Sequence, residues 1–324
     1  ETFDLEPVDL NSLLALDHEC LALMAERLGL SQKAVLHRAM RARLTDRIND
    51  QLWDDTLGMY VDRYWDGRRS DRLAASNFYP LLAGIPTAER AERMLVTLLD
   101  EAKFWGRYIL PTISRGDPAF SDQQYWRGTI WPPPNYLTYQ GLRRYRFDAV
   151  AGELAARSVD LFLRSWHDYQ TCRENYDSRT GEGGGQVYQS WGPLFALTGI
   201  EEFIDSTPWD GLRVGTLTPP PASKIKNVVL NGRRWDILLS PDGYRIDVDG
   251  KGLLYSTGPL VLRQLVVAAG QISAETLSIE PTSLAVNMLA SELHLTIDGQ
   301  ERDVPAQDVR LPAGTHRIRL TRKT

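Results

Sequence analysis

The chain has 324 residues, 43% hydrophobic and 24% charged, with 37 basic against 42 acidic side chains and a formal charge of −5. That length admits two domains with real cores, and the near-balance of charge excludes a general affinity for nucleic acid, which needs a clustered positive field. No apolar run approaches the roughly 18–20 residues that cross a bilayer, and two cysteines, Cys20 and Cys172, exclude a disulfide framework and fit a reducing, cytoplasmic compartment.

From Leu10 to about Phe203 the chain reads as helices joined by loops. Leu10, Leu13, Leu14, Leu21, Met24, Ala25 and Leu28 recur at the helical period and form one stripe, expected to face a core. Ser31 is placed to cap a second helix running to about Leu52, and Thr87 to cap another. Pro132, Pro133 and Pro134 suit the first turn of a helix to about Tyr145, where a missing N–H costs nothing. The next runs from Phe147 to about Tyr169, and a last pair follows Ser190, making about seven or eight helices. Short links alternate with long ones that carry the aromatic and acidic residues, as in antiparallel helical hairpins set side by side. Trp53–Tyr60 and Asn175–Gly181 echo each other: each leaves a helix as an acidic turn closed by Gly, as repeated hairpins or ordinary turn chemistry would produce. The Arg residues are spread along these elements, which places them on solvated surface.

After Pro208 the texture changes. Thr218-Pro219-Pro220-Pro221 is a stiff linker. From about Ile225 alternating strands are punctuated by Asn231-Gly232, Asp242-Gly243, Asp249-Gly250 and Asp298-Gly299, the strongest short hairpin signals. The chain therefore divides into a helical region, 1–210, and a small β-sandwich, 222–324. Support of the helical region is the sandwich's expected role, with sugar binding by Tyr244 or Tyr255 a second reading.

Two segments could carry chemistry. Tyr125-Trp126-Arg127-Gly128-Thr129-Ile130-Trp131 runs into the proline-initiated helix with three large aromatics, a cation and a Gly that lets backbone approach a ligand. Aromatic rings on loops suit sugars, whose C–H faces are apolar while their rims are hydroxylated. Cys172-Arg173-Glu174-Asn175-Tyr176-Asp177 leads through Glu182 to Gly183–Gly185. That Gly run lacks the Lys-Ser/Thr of a phosphate loop and reads as a mobile segment closing over a ligand. His18, His37, His167, His294 and His316 have no ligand spacing, so neither metal nor cofactor is expected.

Taken together, Tyr-Trp-Arg-Gly-x-Ile-Trp-Pro-Pro-x-Asn-Tyr at 125–136, Gln140-Gly141-Leu142, Glu174-Asn175-Tyr176-Asp177 with Thr180-Gly181, and Ser190-Trp191-Gly192 closely resemble the C-terminal catalytic half of glycoside hydrolase family 63. That family includes processing α-glucosidases and hydrolases of mannosylglycerate and glucosylglycerate. Asn77–Gly84 is similar to the same family's passage from loop to helix, and the resemblance covers roughly residues 8–205. Trehalases share the ring but match less well, having Gln-Trp-Asp where this chain has Tyr-Trp-Arg. The resemblance implies an (α/α)6 toroid and hydrolysis, with inversion, of an α-glucosidic or α-mannosidic bond in a small glycoside or oligosaccharide. Glu174 falls on the family's general base. Tyr125, Trp126, Gly128 and Trp131 fall on positions lining the sugar site; Arg127 lies among them, and Trp191 walls the same pocket.

The resemblance also implies shortfalls. The family's general acid is an Asp in an earlier hairpin, and a full ring has twelve helices. The toroid is therefore expected to be incomplete at its N-terminal side, supplying a base and half a pocket. Asp17, Asp62, Asp71 and Asp122 lie in no matching motif. Helix faces left bare in this way would find a partner, either a complementary N-terminal portion or a second copy. Two other classes stay open: a non-catalytic sugar-binding or scaffold protein that kept the pocket, and a phosphorolytic enzyme on the same ring.

Overall fold

A computed structural model of the chain describes residues 4–288 and 292–322, and these divide into two compact units. The first comprises residues 1–147 and 157–196, and the second 148–156 and 197–324.

In the first unit, strand β1 (Leu5–Glu6) leads into α1 (Val8–Arg27) and α2 (Ser31–Gln51). The chain then turns through β2 (Trp53–Asp54) and β3 (Met59–Tyr60), and β4 (Arg63–Tyr64) returns to pair with β1. The short α3 (Tyr79–Leu82), α4 (Ala88–Leu99) and α5 (Pro132–Arg144) follow. Helix α6 (Asp148–Tyr169) comes next, then the hairpin β5 (Arg173–Tyr176) and β6 (Gly183–Val187), then α7 (Leu194–Phe203). The Thr87 hydroxyl accepts the Arg90 N–H as a helix cap should. Ser31 instead opens α2 itself, and Leu30 holds the cap position without a side-chain bond. After Ser190 the expected helix pair is a single helix, because Ile204–Thr207 already runs as a strand.

The α1 stripe is not the buried face. Leu10, Leu14, Leu21, Met24 and Leu28 are exposed, whereas Ser12, Ala15, His18, Ala22 and Ala25 are buried. Both sets recur at the helical period, and the small side chains are the ones packed inward. Exposure continues through Leu30, Val35, Leu36 and Met40 into α2.

The echo between Trp53–Tyr60 and Asn175–Gly181 is one local structure used twice. Asp54 Oδ1 accepts the N–H groups two and three residues on, from Thr56 and Leu57, as Asp177 Oδ1 does from Arg179 and Thr180. Gly58 and Gly181 then close the turns, each with positive φ and an N–H donated to the carbonyl of the same Asp.

The second unit is β-sandwich-like. Strands β7 (Ile204–Thr207), β8 (Gly211–Val214), β9 (Ser223–Leu230), β10 (Arg233–Ser240), β11 (Gly243–Val248), β12 (Lys251–Ser256) and β13 (Val261–Ala268) are followed by β14 (Gln271–Ser278), β15 (Thr282–Val286), β16 (Glu292–Ile297), β17 (Gln300–Pro305), β18 (Val309–Leu311) and β19 (Gly314–Arg322). They form a six-stranded sheet, β18-β15-β12-β11-β10-β9, and a seven-stranded sheet, β17-β16-β19-β14-β13-β8-β7. Alternate residues of both, among them Trp235, Ile237, Ile246, Leu284, Leu262, Leu295 and Leu320, meet in one buried cluster. The unit reaches back before residue 222, since β7 and β8 complete the larger sheet and Asp148–Ala156 packs with it. Asn231-Gly232, Asp249-Gly250 and Asp298-Gly299 all hold two successive positive φ angles, the requirement of a type I′ hairpin turn. Of the two tyrosines read as possible sugar contacts, Tyr244 is buried and donates its hydroxyl to the Thr216 carbonyl, while Tyr255 is exposed.

Two Arg residues of this unit depart from the surface reading. Arg213 and Arg263 are fully buried and share Asp148, Arg213 at 3.6 Å and Arg263 closer. Glu202 lies 3.5 Å from Arg213, and Asp210 and Glu275 lie 3.4 and 3.6 Å from Arg263.

Candidate active site

The aromatic segment is built on α5. Asn135, buried in its first turn, donates to the carbonyls of Trp131 and Leu110 and accepts the Leu110 N–H. Trp131 is thereby pinned at the helix start, its indole N–H shared between Thr129 Oγ1 at 2.8 Å and the Tyr125 carbonyl at 3.0 Å. Around this buried ring stand the exposed ones. Trp126 stacks on Trp131 with centroids 4.2 Å apart, Tyr125 meets it edge-on at 5.1 Å, and Trp191 lies 5.8 Å away. Tyr125 is 65% and Trp126 43% exposed, so the wall ends in two solvated rings held by a buried one. Tyr125 sits in the left-handed region at φ +52°, a strain of about 1–3 kcal/mol that the neighbouring bonds must hold.

Gly128 serves the loop's own fold. At φ +97° a Cβ there would meet Phe120 O at 2.6 Å, and its N–H donates to Thr112 Oγ1, so the packing of the loop itself calls for a glycine here. Arg127 is exposed and paired with Asp122 at 2.8 Å.

Glu174 lies on β5, half-buried. Its Oε2 accepts the Gln186 N–H at 2.9 Å, and its main-chain carbonyl accepts the Trp191 indole at 3.3 Å. Oε1 has no protein hydrogen bond among the described residues, yet it is not one of the buried unsatisfied atoms, so solvent reaches it. The segment's other carboxylates are differently placed. Burial works to raise the pKa of Asp177, but Arg179 and the turn N–H groups outweigh it and hold the carboxyl below its usual range. Glu182 is exposed.

Paired backbone brings the two segments together. Ile130 N–H donates to Tyr176 O at 2.8 Å and Tyr176 N–H to Ile130 O at 2.9 Å, both residues being fully buried. Gln123 adds a second tie, its Oε1 accepting from Ser178 N–H at 2.9 Å and Ser178 Oγ at 3.1 Å. Thus Tyr125, Trp126, Trp131, Trp191 and Glu174 form one neighbourhood. Gln123 and the Gln186 amide carry no sequence signal, since both act through groups any amide or backbone offers.

Gly183–Gly185, expected to close over a ligand, is β6 and pairs with β5. A Cβ at Gly183 would overlap the Arg173 side chain, and one at Gly184 would lie 2.8 Å from Asn175 Oδ1. Bare residues are what let the two strands lie this close.

The remaining Asp candidates have structural occupations or lie in the open. Asp62 accepts the first N–H of α1, from Val8, at 2.8 Å, and burial raises its pKa against that bond. Asp71 is exposed beside Arg72, and Asp17 is exposed on α1. Among the described residues no group of three or more His, Cys, Asp or Glu is set to hold a metal ion, and no helix is long and apolar enough to cross a membrane.

The profile of the mannosylglycerate hydrolase MGH1-like glycoside hydrolase domain matches residues 1–192, the stretch holding every feature of this neighbourhood. The chain belongs to that glycoside hydrolase family. A mannosylglycerate hydrolase of Thermus thermophilus is 36% identical over 154 residues, covering 46% of this chain and 34% of that one. Another, from Rubrobacter radiotolerans, is 31% identical over 209 residues, covering 62% and 45%. The crystal structure of a family 63 mannosylglycerate hydrolase, also from Thermus thermophilus and in complex with glucose, superposes with a TM-score of 0.53 at 28% identity, covering 60% of this chain and 48% of that one. This member of the MGH1-like family thus spans less than half the length of the relatives it matches. The family 63 structure is consistent with the helical content of the first unit.

Proposed function

We propose that the chain carries the general base and part of the sugar site of an inverting α-glycosidase acting on a small glycoside of the mannosylglycerate kind. The observation that carries this is a Glu174 carboxylate with one oxygen held and the other open to solvent, tied through paired backbone to a wall of Trp and Tyr rings. In this chemistry the base takes a proton from water on one face of the sugar while an acid protonates the leaving oxygen on the other, the two carboxyls roughly 6.5–9.5 Å apart. The Trp rings supply the apolar surface for the C–H face of the sugar. Replacing Trp126 by Ala removes an exposed ring without opening the core, and should weaken sugar binding roughly tenfold, read by calorimetry with glucose or a glycoside. Unchanged affinity would remove Trp126 from the site.

The resemblance to family 63 puts the general acid on an Asp of an earlier hairpin, and Asp17, Asp62, Asp71 and Asp122 are spoken for or lie in the open, so we assign the acid to a complementary helical portion. Its seat is the apolar face formed by Leu10, Leu14, Leu21, Met24 and Leu28, which resembles the inward side of a packed hairpin. The double variant Leu14→Glu/Leu21→Glu should keep its circular dichroism and lose association in light scattering; association as strong as before would reject this seat. The function itself is tested by incubating the chain, with and without such a portion, with mannosylglycerate, glucosylglycerate and aryl α-glycosides, and following the product by NMR. First appearance of the β-anomer is the expected result, and first appearance of the α-anomer would rule out inversion.

A further inference from the structure

We infer that Gly185 and the main-chain amide of Gln186 form a β-bulge that positions the Glu174 carboxylate; this rests on the reading of Glu174 as the base. In the β5–β6 ladder Arg173 stands opposite Val187 and Asn175 opposite Gly184. Glu174 alone therefore faces two residues, Gly185 and Gln186. Gly185 has φ +65°, and a Gly in the left-handed region as first residue of a two-against-one irregularity defines the G1 type of bulge, a device that re-aims side chains.

The aim here is specific. The extra residue swings the Gln186 N–H onto Glu174 Oε2 at 2.9 Å. A Cβ on Gly185 would overlap that same oxygen and lie 2.7 Å from Asn175 Nδ2 and 2.8 Å from Glu174 Cβ. The Trp191 indole holds the other end of the residue at its carbonyl. Glu174 has no ion pair among the described residues, so the orientation of its carboxylate is set by main chain. One oxygen is the held end and Oε1 the working end. Gly183–Gly185 is thereby a ledge under the base, and Gly185 and Gln186 are positioning residues.

The test uses Gly185→Ala, an amide-to-ester replacement that removes only the Gln186 N–H, and Glu174→Gln as reference, each assayed together with the complementary helical portion. Both bulge variants should lower kcat by roughly 100-fold, the loss that a misplacement of about 1 Å brings, with KM nearly unchanged. A merely structural role would instead move KM and folding together with kcat. Loss of turnover in Glu174→Gln with wild-type kcat in the ester variant overturns the inference. Wild-type turnover in Glu174→Gln overturns the base assignment itself. On the chain by itself, the Gln186 amide proton should move upfield in Glu174→Ala as its acceptor is lost, and an unmoved resonance refutes the bulge contact whatever the activity.

Discussion

In the chain assembled with its complementary helical portion, Glu174→Gln should abolish most turnover, by about 10²–10⁴-fold, the range contributed by a positioned general acid or base. The amide is nearly isosteric and still presents an oxygen to the Gln186 N–H, so the hairpin and the stacked rings should survive and sugar affinity should stay within about twofold. Those two readouts together separate the enzyme from a sugar-binding scaffold. In a scaffold the substitution changes neither quantity; in the enzyme it removes only the chemical step. Steady-state kinetics paired with calorimetry on the same preparation decide the matter, and turnover within tenfold of the wild type would end the base assignment.

The largest expected effect on stability lies in the second unit. Asp148 is the carboxylate that Arg213 and Arg263 share, all three being fully buried. Asp148→Ala removes the one carboxylate common to both guanidiniums, leaving Arg213 with Glu202 at 3.5 Å and Arg263 with Asp210 and Glu275 at 3.4 and 3.6 Å in a dry site. The expected cost is about 3 kcal/mol, the low end of the range for breaking a buried pair from one side, because the buried guanidiniums cannot rehydrate and keep only their longer ion pairs. For a unit of this size the loss corresponds to a fall in Tm on the order of 10 °C. Trp235, buried in the sandwich core, reports that unfolding by fluorescence. Asp66→Ala serves as control, since its partner Arg68 is exposed and solvent screens such a pair. A cost below about 1 kcal/mol for Asp148→Ala would mean the cluster is wetter than its burial implies.

Much of this was legible in the sequence, and the failures are instructive. Helices were marked by period and by the Thr87 cap, and hairpins by Asn-Gly and Asp-Gly, because each signal is local and has one physical meaning. The α1 face was misread because that helix has two periodic faces, and side-chain size favoured the Leu stripe over the Ala face that allows close packing. Gly183–Gly185 looked like a flexible loop since composition reports freedom in the unfolded chain; the pairing that removes it depends on Arg173, Glu174 and Asn175 across the ladder. Arg213 and Arg263 were assigned to the surface because nothing nearby in sequence announces Asp148. The candidate site residues Glu174 and Trp131 emerged through family likeness, whereas Gln123 and the Gln186 amide emerged only from the folded chain.

The reciprocal bonds between Ile130 and Tyr176 have a mechanical consequence. Two amides buried without competing water are among the last to open in a native fold, so the strand bearing the carboxylate and the residue preceding Trp131 travel as a single rigid body. Neither is free to swing aside alone. Tyr125 and Trp126 stand in solvent outside this tie, so motion at the candidate site is expected to begin at those two rings while the backbone between them and Glu174 stays clamped.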